Sequence, residues 1–268
     1  MTAHPFTLGH QRSTGSARVA FALRGGRARL TTLRQQGSAK AIALDGNEIV
    51  FLNTSGGLTG GDRLDYALEL GAGCRITATT QTAERVYRAS SSQARLGVEM
   101  KLGEGAHLDW LPQETILFQK ASARRQSIIT LGRGATCIMA ETLVLGRVAM
   151  GETVTDLAFH DWREIRQEGK PVHLEVLRLD ADRLRPSIAG LAEARAIASV
   201  VMISSNATDA IEPVRAALTT PDCTAAASAF DNRLVIRLMA RSGFPLRRQL
   251  AQILTLLRRA PLPRVWQN

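Results

Sequence analysis

Leu70-Gly71-Ala72-Gly73-Cys74 leads into the alternating run RITATTQ at 75–81. The arrangement returns as Leu102-Gly103-Glu104-Gly105-Ala106 before HLDWLPQ at 107–113, and as Leu131-Gly132-Arg133-Gly134-Ala135 before TCIMAET at 136–142. Gly71 and Gly103 are 32 residues apart, and Gly103 and Gly132 are 29 apart. Each copy is a tight Gly-x-Gly turn, a small residue and a strand with alternating side chains. One such unit has too little apolar face to fold alone, so neighbouring copies are expected to stack. The fold class is therefore read as mainly β, a layered, stacked-sheet scaffold that is open to a solenoid-like winding. Three unrelated hairpin turns of similar chemistry are the alternative. In register, Gln81 falls opposite Gln113 and Thr80 opposite Glu141. Polar groups at such matching places line either a shared cleft or a solvated edge.

Upstream, Ala39–Leu44, Asp45-Gly46 and Ile49–Leu52 carry a hairpin signature, because Asp-Gly accepts the positive φ of a type I′ turn. Downstream the pattern changes. Ala207–Thr219 contains a short helix candidate with Asp209 near its start and Pro221 just past its end. Asn232–Met239 alternates like a strand. Pro245–Arg259 places Leu246, Leu250, Ile253, Leu254 and Leu257 on one helical face. Arg258 and Arg259 close that helix where its dipole favours a cation. About two helices are thus expected in the C-terminal third. No polar linker divides the chain, so 1–268 is read as one β-rich scaffold domain, with the helix and tail at 244–268 as an interface element. The competing reading has that helix simply covering the β core.

The chain has 268 residues, 45% of them apolar, and a mean hydropathy of −0.04, as a soluble globular protein has. It holds no apolar run of the ~18 residues that a spanning helix needs. The start, MTAHPFTLGHQRS, has no apolar signal core. No membrane association is expected, and a cytoplasmic location is. Cys74, Cys137 and Cys223 are odd in number, far apart and outside any CxxC. They read as small apolar fillers, not as a disulfide framework or a zinc knuckle.

The formal charge is +10, and of 34 basic residues only Lys40, Lys101, Lys120 and Lys170 are lysine, leaving 30 arginines. Arginine grips carboxylate and phosphate alike, so acidic proteins and nucleic acids both come into view. The arginines are spread along the chain, and two tyrosines are too few for a base-stacking platform. An acidic protein partner is favoured, and a basic β-rich nucleic-acid-binding module is the alternative.

Motifs for chemistry are scarce. Gly56-Gly57-Leu58-Thr59-Gly60-Gly61-Asp62 lacks the GK[ST] ending of a phosphate loop and the helix of a dinucleotide fingerprint. Gly56, Gly57, Gly60 and Gly61 read as freedom for a sharp turn against another chain or layer. A functional Asp62 is the competing reading. His4, His10, His107, His160 and His173 form no HExxH and no i, i+4 pair, and the GxSxG spacing is absent. No catalytic residue is assigned, and no tightly bound cofactor is expected.

Five segments, GGLTGGD at 56–62, TTQTAERVYR at 79–88, LDWLPQETILF at 108–118, ETLVLGRVAMGE at 141–152 and LPRVW at 262–266, run in one order across most of the chain. Together they resemble the urease accessory protein D (UreD) family, called UreH in some organisms. Arg85 stands where that family often carries Lys, and 161–171 matches only loosely. The resemblance implies a β-rich, non-enzymatic scaffold for urease maturation. It would act as a chaperone in metallocentre assembly, joining a helical accessory protein (UreF type) and an accessory GTPase (UreG type) on apo-urease. Nickel would pass through that complex transiently, along a route that includes an internal channel in this protein. By motif, Asp62 and Glu141 match acidic positions along the nickel route, with Glu175 in HLEVLRL as a third. Leu250, Leu254, Leu257, Arg264 and Trp266 are the interface candidates, Trp266 resembling a buried aromatic anchor.

Overall fold

Alternation makes the strands and glycine lets them stack. The computed structural model describes residues 12–267 other than 45, 46, 91, 148, 149 and 189. β1 (Thr14–Arg24) and β2 (Arg27–Gly37) form an antiparallel hairpin, as do β3 (Ala39–Leu44) and β4 (Glu48–Asn53). The second is the hairpin read from the sequence. Its last pair joins Leu44 to Glu48, leaving three residues between the strands instead of the two of a type I′ turn. Asp45 and Gly46 themselves lie outside the described residues.

The chain then winds. β5 (Arg63–Leu70), β6 (Arg75–Thr80) and β7 (Glu84–Val86) make one coil, and β8 (Ala94–Leu102), β9 (His107–Trp110) and β10 (Thr115–Leu117) the next. β11 (Ser122–Leu131) and β12 (Thr136–Leu145) follow, then β13 (Ala158–Gln167), which ends the winding in an antiparallel hairpin with β14 (Lys170–Leu179). Strands in the same place on successive coils pair in parallel, so the repeat is a solenoid-like stack and not three unrelated turns. β15 (Ala196–Ile203), β16 (Cys223–Phe230) and β17 (Arg233–Ala240) extend the second layer in antiparallel fashion. One sheet runs β14-β13-β11-β8-β5-β1-β2, and the facing sheet runs β16-β17-β15-β12-β9-β6-β4-β3 with β10 and β7 alongside.

The two glycines of each turn do different work. The amide of Gly103 donates to Leu70 O at 2.7 Å and that of Gly132 to Leu102 O at 2.8 Å, so successive turns lie backbone on backbone. A Cβ on Gly103 would sit 2.7 Å from Ala72 N. The second glycine supplies the left-handed backbone, with φ of +68° at Gly73, +63° at Gly105 and +65° at Gly134.

Two apolar layers result. Between the sheets lie Leu64, Leu68, Met100, Leu108, Ile129, Leu131, Met139 and Leu143 among others. A fully buried leucine or isoleucine of this kind contributes about 1.5–3 kcal/mol. Behind the second sheet, α1 (Ile211–Ala217) and α2 (Gly243–Arg258) pack on Ile138, Ala140, Val200 and Ile236. β12 is buried on both faces because both layers pack on it. The short helix expected within 207–219 is α1, preceded by a 3₁₀ turn at Thr208–Ala210. α2 starts at Gly243, two residues before the expected Pro245, and ends where Arg259 turns left-handed at φ +53°. No helix among the described residues is long and apolar enough to cross a membrane.

Candidate functional site

Alternation along β11 aims Ala123, Arg125, Ser127, Ile129 and Leu131 into the space between the sheets. Arg125 is therefore a charge placed inside the core. Its Nε donates to Asp161 Oδ1 at 2.9 Å and its Nη2 to Asp161 Oδ2 at 2.6 Å, on neighbouring β13. Its Nη1 crosses to the facing sheet, 2.6 Å from Glu141 Oε2 on β12, and donates to Thr115 Oγ1 at 3.1 Å. Glu141 Oε1 accepts from Trp110 Nε1 at 3.0 Å.

The chain of charges continues outward. Arg163, two residues along β13, donates from Nε to Asp161 Oδ2 at 2.8 Å and lies 3.4 Å from Glu175 Oε2 on β14. Glu175 accepts from Ser199 Oγ at 2.7 Å and from Arg237 Nε at 3.2 Å. Trp110, Glu141, Arg125, Asp161, Arg163, Glu175 and Arg237 thus run from the closed interior to a cleft of about 340 Å³. That cleft lies between β14 and the β15–β17 strands, lined by Arg163, Glu175, Leu177, Ile197, Ser199 and Arg237.

The acids balance the arginines. Burial pushes the Asp161 carboxyl up, but the Arg125 and Arg163 charges overcome it and hold the group well below the usual carboxylate range. For Arg125 burial works against the charge, and Asp161 and Glu141 keep the guanidinium protonated. Glu175 is lowered in the same sense as Asp161: burial raises it, and Arg163, the Ser199 hydroxyl and Arg237 bring it down. His173, buried beside Glu175, is pushed down to about 4, first by burial and then by nearby arginines, against the pull of Glu175. It stands neutral at pH 7. Every carboxylate oxygen of Glu141, Asp161 and Glu175 has a donor, and only the cleft end meets solvent. Among the described residues no group of three or more His, Cys, Asp or Glu could hold a metal ion.

The structure brings Glu141 and Glu175 into one network and leaves Asp62 outside it. Asp62 is buried in the glycine loop, where Oδ1 accepts the Ser13 amide at 2.7 Å and Oδ2 the Thr59 amide at 2.8 Å. A Cβ on Gly57 would meet Tyr87 Cε2 at 2.5 Å, and one on Gly60 would meet Ser92 O at 2.2 Å, so the loop lies flat on the next coil. Gly61 adds a φ of +90°, and Gly56, at φ +80°, turns in open space. Gln113 is buried and receives a 2.7 Å hydrogen bond from Arg247, while Gln81 is exposed, so the two do not line a shared cleft.

At the C-terminus Leu250, Leu254 and Trp266 are occupied within the chain. The two leucines pack behind the second sheet, and Trp266 Nε1 donates to Leu111 O at 3.0 Å beneath the Arg247 guanidinium. Leu257 is half-buried and Arg264 exposed. Cys74 and Cys137 are buried fillers, Cys223 is half-buried, and burial pushes the Cys137 thiol up to about 12.

Sequence reasoning missed Arg125, Asp161, Arg163 and Arg237. A signal existed. In SARRQSIITL the inward positions read Ala123, Arg125, Ser127, Ile129, and in AFHDWREIRQ they read Phe159, Asp161, Arg163, Ile165. A charge at an inward position of an alternating strand asks for a buried partner.

The model of the UreD urease accessory protein family matches residues 13–267. A protein of Cereibacter sphaeroides named urease accessory protein UreD is 53% identical over 265 residues, covering 96% of each chain. Another from that species, similarly named, is 54% identical over 269 residues and 98% of each chain. A third, from Paracoccus denitrificans, is 47% identical over 96% of this chain and 93% of its own.

Proposed function

The chain belongs to the UreD urease accessory protein family, and from that premise we propose that it serves urease maturation as a non-catalytic scaffold. It binds apo-urease together with an all-helical accessory protein of the UreF type and an accessory GTPase of the UreG type. It works in the cytoplasm, keeps no resident cofactor, and passes nickel towards the urease active site as cargo. The family match across 13–267 is the observation that carries this reading.

Glu175 is the acidic residue best suited to a passing cation. It sits at the cleft, and carboxylate oxygens with water are ligands that exchange readily. Arg237, on a long exposed stem, can swing off Glu175 Oε1 and leave that oxygen open. Glu141 holds a wall of the route by fixing Arg125, and Asp62, which lies outside this ion chain, acts by fixing the glycine loop.

The test is urease activity in cells lacking this gene, with urease protein measured alongside. Normal urease protein with little activity, restored by the wild-type gene, is the expected result. A Glu175→Gln gene should restore assembly but little activity. Unchanged activity without the gene would overturn the maturation role and turn attention to nucleic-acid binding. Full activation by Glu175→Gln would sink only the route.

A further inference from the structure

The outer face of the seven-stranded sheet carries a row of charge that the ion chain does not use. In-register pairing sets Arg63 on β5 beside Arg95 on β8, Arg95 beside Arg124 on β11, Arg124 beside His160 on β13, and His160 beside Arg178 on β14. Their strand neighbours Leu64, Ala94, Ala123, Phe159 and Leu179 are buried in the core, so these five side chains point outward. The four arginines are exposed and His160 is half-buried. With strands ~4.8 Å apart, the row spans about 19 Å.

Like charges side by side on neighbouring strands weaken a sheet. Elsewhere on this face several are neutralised, Arg18 lying 3.7 Å from Glu69, Lys101 2.9 Å from Glu99 and Arg166 2.6 Å from Glu164, although Arg34, in register with Arg18, has no ion-pair partner among the described residues. In the row only the end members are paired, Arg63 with Asp65 at 2.7 Å and Arg178 with Asp180 at 3.4 Å. Arg95 and Arg124, in the middle, have no ion-pair partner among the described residues. Beside the row the face is hollowed to about 780 Å³, with Gly97 in its lining, Arg18, Arg34 and Arg63 around it, and its two carboxylates, Asp65 and Glu99, each taken up by an ion pair, with Arg63 and Lys101.

We propose that this row is a docking strip for an acidic α-helix of a partner protein, laid across the strands. A helix with glutamates three or four residues apart presents a carboxylate about every 5.4 Å, close to the strand spacing, so about four turns cover the row. An extended segment presents same-face side chains only every ~6.6 Å and falls out of step. Guanidinium forks grip carboxylates in two-point fashion. Base stacking finds little here: Trp162, next along the face, is half-buried with its Nε1 held by Glu164 at 3.1 Å. The inference rests on the scaffold reading for there being a partner, while the partner's chemistry comes from the row alone.

The experiment is fluorescence anisotropy of a labelled helical peptide, about four turns long with glutamates on one face, titrated with the purified full chain. A scrambled peptide of the same composition and a single-stranded oligothymidylate serve as competitors. The one-face peptide should bind more tightly than both, and less tightly as salt rises. Arg95→Gln with Arg124→Gln should weaken it roughly tenfold without lowering the melting temperature. Arg95→Lys with Arg124→Lys, which keeps the charge and guards against misfolding, should fall between. Equal binding of the scramble, tighter binding of the oligonucleotide, or no loss in the glutamine variant would overturn the strip. Peptide binding is read without urease, so either this inference or the maturation role can fail while the other stands.

Discussion

Replacing Arg125 with methionine removes a side chain that ties β11 and β13 to β12 across the core. Methionine fills similar space, so the loss is electrostatic. Asp161 and Glu141, 0% and 2% exposed, would be left without their shared counter-charge. Breaking a buried pair on one side costs about 3–5 kcal/mol. At about 2–4 °C per kcal/mol for a chain of this size, the melting temperature should drop by roughly 10 °C. The pH dependence carries a sign. In the wild type the folded pKa of Asp161 lies below its unfolded value, so its contribution is present above the usual carboxylate range near ~4. That contribution is lost as pH falls through the lower folded value. Without Arg125 the fold buries Glu141 with no facing guanidinium and leaves Asp161 to Arg163 alone, a cost in charge that binding a proton relieves. The deficit should therefore be larger at pH 8 than at pH 5, read from thermal melts followed by circular dichroism. Adding Glu141→Gln and Asp161→Asn should recover part of the loss, since amides need no counter-charge. A drop below ~1 kcal/mol, or the same deficit at both pH values, would refute the reasoning.

Three more outcomes follow from single contacts. Gly103→Ala should cost at least about 2 kcal/mol, because its Cβ would lie 2.7 Å from a backbone nitrogen. Gly105→Ala, in open space but at φ +63°, should cost only about 1 kcal/mol; denaturant midpoints compare the two. Burial pushes the Glu84 carboxyl up to about 7 despite hydrogen bonds from Asn53. A raised folded value favours the protonated form, so stability is lost as pH rises from the unfolded value near 4.5 through 7, and Glu84→Gln should raise the melting temperature at pH 8 and hardly change it at pH 4. Trp266→Phe keeps the packing but removes one of the two donors to the buried Leu111 carbonyl, Thr79 Oγ1 remaining at 2.6 Å, which should cost about 0.5–1.5 kcal/mol in urea unfolding. Lost partner capture with an unchanged midpoint would instead make Trp266 an interface residue.

The stack was legible because glycine has two separate uses in each turn, and both leave a mark at a fixed spacing. The outer arginine row was legible too, though it takes the repeat to see it. Counting seven residues back from Leu70, Leu102 and Leu131 lands on Arg63, Arg95 and Arg124. The ion chain was hidden for a physical reason. Arg125 meets Asp161 thirty-six residues on, in a coil that carries no Gly-x-Gly mark, and it meets Glu141 across the gap between two sheets. Neither distance is written in a local pattern. The C-terminal anchor was visible as an apolar stripe with a tryptophan, but a stripe does not say whether it faces the chain's own sheet or a partner.

The place where the ion chain lies follows from how the winding ends. Coils stacked on both sides can fill their interior with Leu, Met and Ile, and the layers at Leu68, Met100 and Ile129 do so. β13 has no further coil to stack on; it turns back into β14, and the two sheets part around the cleft. Apolar side chains could close that end at no greater energetic cost, since a buried ion pair is a weak source of net stability. They would also leave the cleft without charge. The charges therefore give the cleft its polar lining, and stability alone does not account for Glu175. Glu175→Gln separates the two roles, because the amide oxygen can still accept from Arg237 while the amide NH2 donates to the Ser199 hydroxyl oxygen. A normal melting temperature with poor urease activation assigns the carboxylate to the passing cation. A lowered melting temperature with an equal loss of activation assigns it to the frame that holds β14 against β15 and β17.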